Sequence, residues 1–89
     1  MSWDYKFKES ALKDLHHLDR QVQQQIFKYL DKHVKQASNP ADYGKLMVGG
    51  YFGYIRYRVG AYRLICEIRN HELVVLIVEV GHRREIYKR

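Results

Sequence analysis

The side chains of this 89-residue sequence that are best suited to chemistry are the arginines of its second half. Residues 45–89 carry nine basic and four acidic residues, so +5 of the net charge of +6 lies there. A guanidinium group offers a planar fork of donors that matches phosphate. We therefore predict phosphate contacts from Arg56, Arg58, Arg63, Arg83 and Arg84. The alternative is a solvated basic face that serves only solubility.

Two neighbours of these arginines add other chemistry. His82 precedes Arg83, and an unperturbed histidine with a pKa of about 6.5 suits proton transfer at neutral pH. An exposed histidine in a basic loop is an equally good interpretation, so the sequence assigns no general base. Tyr87 lies in the basic tail, where its ring is suited to stacking on an unpaired base.

Metal ligands and disulfides are not indicated. The set His16, His17, His33, Cys66 and His71 matches no zinc spacing, and adjacent residues of a helix point in different directions. Cys66 is the single cysteine and stands in an apolar run, which predicts a buried thiol. We expect neither a metal nor another cofactor.

Length and composition predict one globular domain over residues 1–89. A chain of this size builds one modest core, and 46% hydrophobic with 29% charged residues is typical of globular proteins. The N-terminus has Trp3, Asp4 and Lys6 where a signal peptide needs apolar residues, and no segment approaches the roughly 20 apolar residues of a membrane span. The expected location is the cytoplasm, with no membrane partner.

The first half of the chain predicts a strand followed by two helices. Trp3, Tyr5 and Phe7 alternate with polar residues, as in a half-buried strand. Ser10 is predicted to cap a first helix and Asp19 a second, longer one. Their apolar residues recur at helical spacing, in the first helix at Ala11, Leu12, Leu15 and Leu18 and in the second at Val22, Ile26, Tyr29, Leu30, Val34 and Ala37. The pair is predicted to form a helical hairpin.

The second half predicts an irregular segment followed by an antiparallel meander. Asn39-Pro40 ends the second helix, and the irregular segment extends to Gly50. Strands are predicted over 54–59, 62–69 and 73–80, the last one apolar on both faces and therefore internal. In the strand over 54–59 the odd positions Ile55, Tyr57 and Val59 are predicted to lie on the core face, and Tyr54, Arg56 and Arg58 on the solvated one. The predicted fold is α+β, with an N-terminal strand and a two-helix hairpin packed on one face of a mostly antiparallel four-stranded sheet.

Two segments of the second half form a specific pattern, of which 53–65 reads Gly-Tyr-Ile-Arg-Tyr-Arg-Val-Gly-Ala-Tyr-Arg-Leu-Ile and 80–87 reads Val-Gly-His-Arg-Arg-Glu-Ile-Tyr. Both segments resemble the RelE family of bacterial and archaeal toxins. The segment Ala-Leu-Lys-Asp-Leu at 11–15 and the pair Lys45-Leu46 fall in the family's order and rough spacing. The resemblance implies a RelE-like fold and a toxin that enters the A site of the 70S ribosome and cuts mRNA until a cognate RelB-like antitoxin silences it.

The resemblance also implies residue roles. Arg63 and Arg83 match arginines that contact the scissile phosphate, and Tyr87 matches a tyrosine that stacks on a base. The best-known family member has lysines at the positions of Arg56 and Tyr54. Arg56 keeps the positive charge, whereas Tyr54 removes it, so no amine stands at that position to act as general base. With these we group further expected RNA contacts, namely Lys45, Arg58, His82 and Arg84.

Elementary chemistry agrees with a nuclease but leaves other functions open. RNA is cleaved when its 2′-hydroxyl attacks the adjacent phosphorus, so a protein needs to orient that attack, move protons and neutralise charge. One alternative is a ParE-like, non-enzymatic inhibitor of DNA gyrase, because the same superfamily includes such members and arginines and tyrosines also suit protein interfaces. Another is a catalytically inactive chain that only binds an antitoxin.

Overall fold

A computed structural model describes residues 2–82 as a five-stranded sheet with helices on one face. The strands are β1 (Asp4–Phe7), β2 (Lys45–Leu46), β3 (Ile55–Val59), β4 (Tyr62–Arg69) and β5 (Val74–His82). The helices are α1 (Glu9–His16) and α2 (Arg20–Leu30), and α2 continues into a π-helical turn at Asp31–Lys35. Short 3-10 turns at Pro40–Tyr43 and Gly49–Tyr51 flank β2.

The strand order is β1-β5-β4-β3-β2, with β1 parallel to β5 and every other neighbour antiparallel. This confirms the mostly antiparallel sheet and the internal position of β5. The predicted count of four strands is wrong by one, because Lys45 pairs with Arg56 and Leu46 with Ile55 inside the segment predicted to be irregular. A strand of two residues is too short to show alternation in a sequence.

The two helices form the predicted hairpin, with different ends. Helix α1 begins after Lys8, so Ser10 lies inside the helix and the prediction of Ser10 as its cap is wrong. Asp19 does occupy the N-cap position of α2, but its backbone carbonyl, not its side chain, accepts the Gln23 N–H at 3.0 Å. The second helix was predicted as a single helix to Ala37; instead its last turn widens into the π-helical turn.

One hydrophobic core lies between the helices and the sheet. Fully buried residues from both layers meet there, among them Ala11, Leu15, Ile26 and Leu30 from the helices and Tyr57, Leu64, Cys66 and Ile77 from the sheet. The Tyr57 hydroxyl donates to the Pro40 carbonyl at 2.8 Å, which holds the 3-10 turn against β3. Burial raises the pKa of the Tyr57 phenol and of the Cys66 thiol. The predictions that Tyr57 and Cys66 belong to the core are confirmed.

A β-bulge changes the face of the last four residues of β5. Ile65 pairs with Glu79 and Cys66 with Ile77, so Val78 is an extra residue without an opposite partner. Ile77 and Val80 therefore both face the core, three residues apart, where an unbroken strand would require an even spacing. Glu79 and Gly81 consequently lie on the face of the sheet away from the helices.

No helix among residues 2–82 combines the length and the apolar character that are needed to cross a membrane.

Candidate nucleic-acid interface

Four neighbouring cations lie on the β2, β3 and β4 part of the sheet face that the helices leave open. Arg58 on β3 pairs directly with Arg63 on β4, and Lys45 on β2 pairs directly with Arg56 on β3. Directly paired residues project to the same face, and Ile55, Tyr57 and Val59 occupy the other one. The register thus confirms the predicted faces of the 54–59 strand. We call Lys45, Arg56, Arg58 and Arg63 the cationic face.

The cationic face consists of two rows across the sheet. One row runs Lys45, Arg56, Ile65 and Glu79, and the next runs Arg58, Arg63 and Gly81. Like charges directly opposite each other destabilise a sheet, so the fold itself gains nothing from this arrangement. Neighbouring cations at strand spacing are suited to binding a polyanion whose phosphates are also close together.

Burial differs along the cationic face. Arg63 is 7% exposed, and its Nη1 donates to the Tyr62 carbonyl at 3.4 Å, whereas Arg58 is exposed and Arg56 half-buried. A buried guanidinium holds its geometry better than an exposed one, because its rotamers are restricted by packing. Arg63 is therefore suited to a fixed contact with a single phosphate and Arg58 to a looser contact with the chain that carries it.

One carboxylate shares these rows among the described residues. Glu79 is 8% exposed, and the Tyr51 hydroxyl donates to its Oε2 at 3.2 Å. This hydrogen bond joins the 3-10 turn after β2 to the middle of the sheet. Glu79 thus belongs to the same surface as Arg56 and Arg63, and the bulge at Val78 is what brings it there.

A groove of about 430 Å³ opens at the β2 end of the cationic face. Lys45 and Arg56 supply charge to it, and Tyr51 supplies a ring. Between Lys45 and Tyr51 the chain projects apolar side chains to solvent, with Leu46 76% exposed and Val48 81% exposed. Phe52, the residue after Tyr51, is also 81% exposed. The arrangement of charge, an aromatic ring and an apolar rim is suited to a phosphodiester with an unstacked base.

The remaining predicted site residues are placed differently or lie outside the described part. His82 pairs with Tyr62, and their rings meet edge to face at 5.6 Å. That pair projects to the face opposite Arg63, so His82 stands at the end of β5 and not on the cationic face. Arg83, Arg84 and Tyr87 lie outside residues 2–82, and their predicted roles remain predictions.

The histidines and the cysteine are dispersed. Cys66 is in the core, while the His33 ring stacks on Tyr29 at 4.1 Å and its Nδ1 lies 3.0 Å from the Tyr29 carbonyl. His16 and His17 are exposed at the end of α1, and His71 is in the turn between β4 and β5. Within the described residues, the structure brings no three potential metal ligands together.

Sequence reasoning missed Glu79 and Tyr51. Glu79 stands in a strand predicted to be apolar on both faces, and that lone carboxylate was the available signal. Strict alternation would have placed it on the core face with Ile77, so the bulge concealed its position. Tyr51 belonged to a segment predicted to be irregular, in which no periodicity assigns a direction.

Comparisons with known proteins agree with the fold and show the family. Residues 5–87 match the family model described as the ParE toxin of the type II toxin-antitoxin system parDE. The chain belongs to the RelE/ParE superfamily of toxins of type II toxin–antitoxin systems. The resemblance inferred from the sequence is thereby confirmed at the level of the superfamily.

Individual relatives carry RelE-type names. A RelE-like toxin protein of Escherichia coli is 31% identical over 83 residues, which cover 93% of this chain and 85% of that protein. Toxin RelG of Mycobacterium tuberculosis is 28% identical over 89 residues, the full length of both.

Solved structures share the architecture. The RelBE2 toxin–antitoxin complex of Mycobacterium tuberculosis contains a chain with a TM-score of 0.82 and 25% identity, covering 93% of each chain. The isolated Escherichia coli RelE toxin superposes with a TM-score of 0.72 at 25% identity, covering 98% of this chain and 93% of that one. The predicted RelE-like α+β fold is confirmed.

Proposed function

We propose that this toxin is a metal-independent endoribonuclease that cleaves mRNA in the A site of the 70S ribosome and so inhibits translation. The observation that carries the proposal is the direct pairing of Arg58 with Arg63 beside that of Lys45 with Arg56. Four cations on one open face of a small sheet give a surface of the right charge and width for a single RNA strand. Its place of action is the cytoplasm.

The proposed roles follow burial. Arg63, the most enclosed cation, contacts the scissile phosphate, and Arg56 and Lys45 contact the strand at the groove. Arginines aimed at the developing phosphorane stabilise the transition state more than the ground state, because negative charge increases as the 2′-oxygen attacks. In this proposal Arg83 adds a second phosphate contact, Tyr87 holds a base and Arg84 contacts RNA, whereas His82, on the opposite face, takes no part in binding the strand.

The ribosome supplies what the small surface lacks. An 89-residue chain can bind a strand but has little surface with which to hold the 2′-hydroxyl in line with the phosphorus. A message fixed in the decoding site already has restricted backbone torsions, so the toxin needs to provide only charge and proton transfer. Free RNA is therefore expected to be a poor substrate.

The proposed inhibitor is a RelB-like antitoxin. The relative in the RelBE2 complex of Mycobacterium tuberculosis is bound to its antitoxin, and this chain has the same architecture. The exposed Leu46, Val48 and Phe52 beside the cations give an apolar and basic surface. An acidic, amphipathic antitoxin segment is complementary to it.

A second candidate function is inhibition of DNA gyrase without catalysis. The family model that matches residues 5–87 is that of the ParE toxin, which favours this alternative. A pulse of expression followed by transcript mapping separates the candidates. Cuts at A-site codons support the nuclease, whereas a DNA-damage response with intact transcripts supports gyrase inhibition. The absence of both effects would indicate a chain that only binds its antitoxin.

A further inference from the structure

We infer that the loop between β2 and β3, residues 48–53, is a strap that closes over the cationic face and opens before RNA reaches Arg63. This rests on the proposed function, because it concerns the route by which a strand arrives at that face. The observation that carries the inference is a hydrogen bond at 3.2 Å from the Tyr51 hydroxyl to Oε2 of Glu79. The bond joins the strap to β5, which is two strands away from β3 in the sheet.

The sheet face away from the helices is covered at its centre. Ile65 pairs with Arg56 and Glu79 and so projects away from the helices, yet it is fully buried. On the same face Arg63 is 7% exposed and Glu79 8%. An apolar side chain on a solvated sheet face would be exposed. Part of the chain other than the helices therefore lies over these residues, and a phosphate reaches Arg63 only when that cover moves.

The strap extends to the covered region. Neighbouring strands lie about 4.8 Å apart, so β3 and β5 are separated by roughly 10 Å, with Ile65 on β4 between them. Tyr51 precedes β3, and its bond to Glu79 therefore takes the phenol across β4. Arg56 and Tyr51 line the same groove. The closed strap thus lies between that groove and Arg63.

Two glycines at the ends of the strap give it its shape. Gly49 has a φ of +69° and Gly53 a φ of +92°, backbone angles that other residues rarely adopt. An added Cβ would meet nothing within 4 Å at either position, so the backbone angle and not crowding requires glycine. Between them the Phe52 N–H donates to the Gly49 carbonyl at 3.1 Å. The strap is therefore a compact turn between two residues that can absorb a change in backbone angles, as in loops that gate other sites.

Exposure within the strap favours movement over a fixed packing role. Val48 and Phe52 are each 81% exposed and flank Tyr51, which is half-buried. Segments with little buried apolar surface open at low free energy. Opening requires the loss of the Tyr51 contacts, among them the bond to Glu79. Phosphates that pair with the arginines of the cationic face offset this loss, so a strand of RNA stabilises the open strap.

The test compares Tyr51→Phe with the wild-type chain in the modification of Arg63 by phenylglyoxal, a reagent for accessible guanidinium groups, with the adducts measured by peptide mass spectrometry. The variant keeps the ring and removes the donor. We expect Arg63 to react about 2- to 10-fold faster, the net effect of one hydrogen bond, while the exposed Arg58 reacts at an unchanged rate. Tyr5→Phe is the matched control, because the Tyr5 hydroxyl also donates to a carboxylate, that of Asp31, at 3.0 Å. It should leave both rates unchanged.

A second variant opens the strap without altering either partner of the bond. The φ of +92° at Gly53 is strained in Gly53→Ala, which disfavours the closed strap, so Arg63 should again react faster. Gly60→Ala is its control, because Gly60 has a φ of +60° in the turn after β3, outside the strap. Thermal melting establishes that each variant folds. An Arg63 rate equal to that of the wild type in folded Tyr51→Phe overturns the inference, and Gly53→Ala decides in the same way if Tyr51→Phe does not fold.

RNA association gives an independent measurement. A single-stranded RNA with 2′-O-methyl groups cannot be cleaved, and its association with Tyr51→Phe in stopped flow should be faster than with the wild type, since a required opening step slows association. Tyr5→Phe should associate at the wild-type rate. Association with Tyr51→Phe that is no faster than with the wild type would show that the strap does not control entry of RNA, and would overturn the inference.

Arginine modification requires no RNA and therefore separates the strap from the nuclease. Unchanged modification in Tyr51→Phe, together with cleavage by the wild type, refutes the strap and leaves the nuclease intact. Faster modification in Tyr51→Phe, with RNA neither bound nor cleaved by the folded wild type, refutes the nuclease and retains the strap as a movable cover of the cationic face.

Discussion

Asp14 on α1 accepts a hydrogen bond from the backbone N–H of Val80 on β5, at 3.3 Å. One helical turn earlier, the Ser10 hydroxyl donates to the carbonyl of Val78, also at 3.3 Å. These two side chains lie on one side of α1 because residues four apart share a helix face. Together they satisfy backbone groups on either side of Glu79, at the bulge that brings Glu79 to the cationic face.

The first prediction is that Asp14→Ala reduces both stability and activity although Asp14 is not on the cationic face. Loss of this acceptor leaves a partly buried N–H without its partner, which costs about 1 kcal/mol of unfolding free energy. Urea unfolding and hydrogen exchange at Val80 measure the effect. Lys13→Ala, an exposed neighbour on the same helix, is the control and should change neither. An unchanged Val80 exchange rate in Asp14→Ala would show that the bond does not fix the bulge.

The second prediction concerns the opposed cations. Replacing Arg58 by Thr removes a like-charge pair and introduces a residue with high strand propensity, so unfolding free energy should rise by about 0.2 to 1 kcal/mol. RNA affinity should fall, and the slope of log affinity against log salt should decrease by about 0.7 for the lost phosphate contact. Thermal melting and salt titration of single-stranded RNA binding measure the two effects. A less stable variant with unchanged affinity would indicate that Arg58 serves the fold.

The structure explains which parts of this surface a sequence can reveal. The alternation of Ile55, Tyr57 and Val59 with arginines was sufficient to place Arg56 and Arg58 on the open face, because regular strands have a period of two. Glu79 could not be placed in this way, because the bulge at Val78 breaks the alternation, and the hydrogen bonds on either side of it come from Ser10 and Asp14 on a helix distant in sequence. Ser10 was read as a cap for the same reason: its true partner is 68 residues away.

Strand β2 and its groove illustrate a second limit. A strand with only two paired residues depends on its neighbours in space and has no periodic pattern of its own in the sequence. The family resemblance predicts that Lys45 contacts RNA, and the register of β2 and β3 places Lys45 opposite Arg56. The Tyr51 hydroxyl, in contrast, donates to Glu79, a contact between distant residues that no local sequence pattern predicts.

The third prediction is a loss of stability at alkaline pH. Burial raises the pKa of Cys66 and Tyr57 in the folded chain, so both favour the protonated form there. The unfolded chain ionises from about pH 8.5 for cysteine and about pH 10 for tyrosine, so stability is full below these values and falls as pH rises through them. Urea unfolding between pH 8 and pH 11 should show this fall. Cys66→Ala lowers stability throughout but should show a smaller dependence between pH 8.5 and 10, and an identical dependence would contradict the assignment.

The fourth prediction concerns the antitoxin. If it covers the surface of Arg56, Arg63 and Arg83 or displaces the C-terminal segment, electrostatic attraction accelerates its capture, and association should slow as salt rises. Stopped-flow association at low and physiological ionic strength measures this. Arg69→Gln is the control, because Arg69 lies at the far end of β4 from Arg63 and pairs with Glu67 and Glu72, and it should leave the salt dependence unchanged. An association rate independent of salt would place the docking site elsewhere.

Cleavage of a message by purified 70S ribosomes stalled with an open A site tests the central claim most directly. The wild-type chain is expected to cut within the A-site codon and to leave a 2′,3′-cyclic phosphate, while Arg63→Ala and Arg83→Ala, checked for folding by thermal melting, should be about 100-fold slower or worse. His16→Ala and His71→Ala, outside the cationic face, are the controls and should cut normally. Intact messages with the wild type, together with full toxicity of folded Arg63→Ala and Arg83→Ala in cells, would contradict the nuclease and favour inhibition of gyrase.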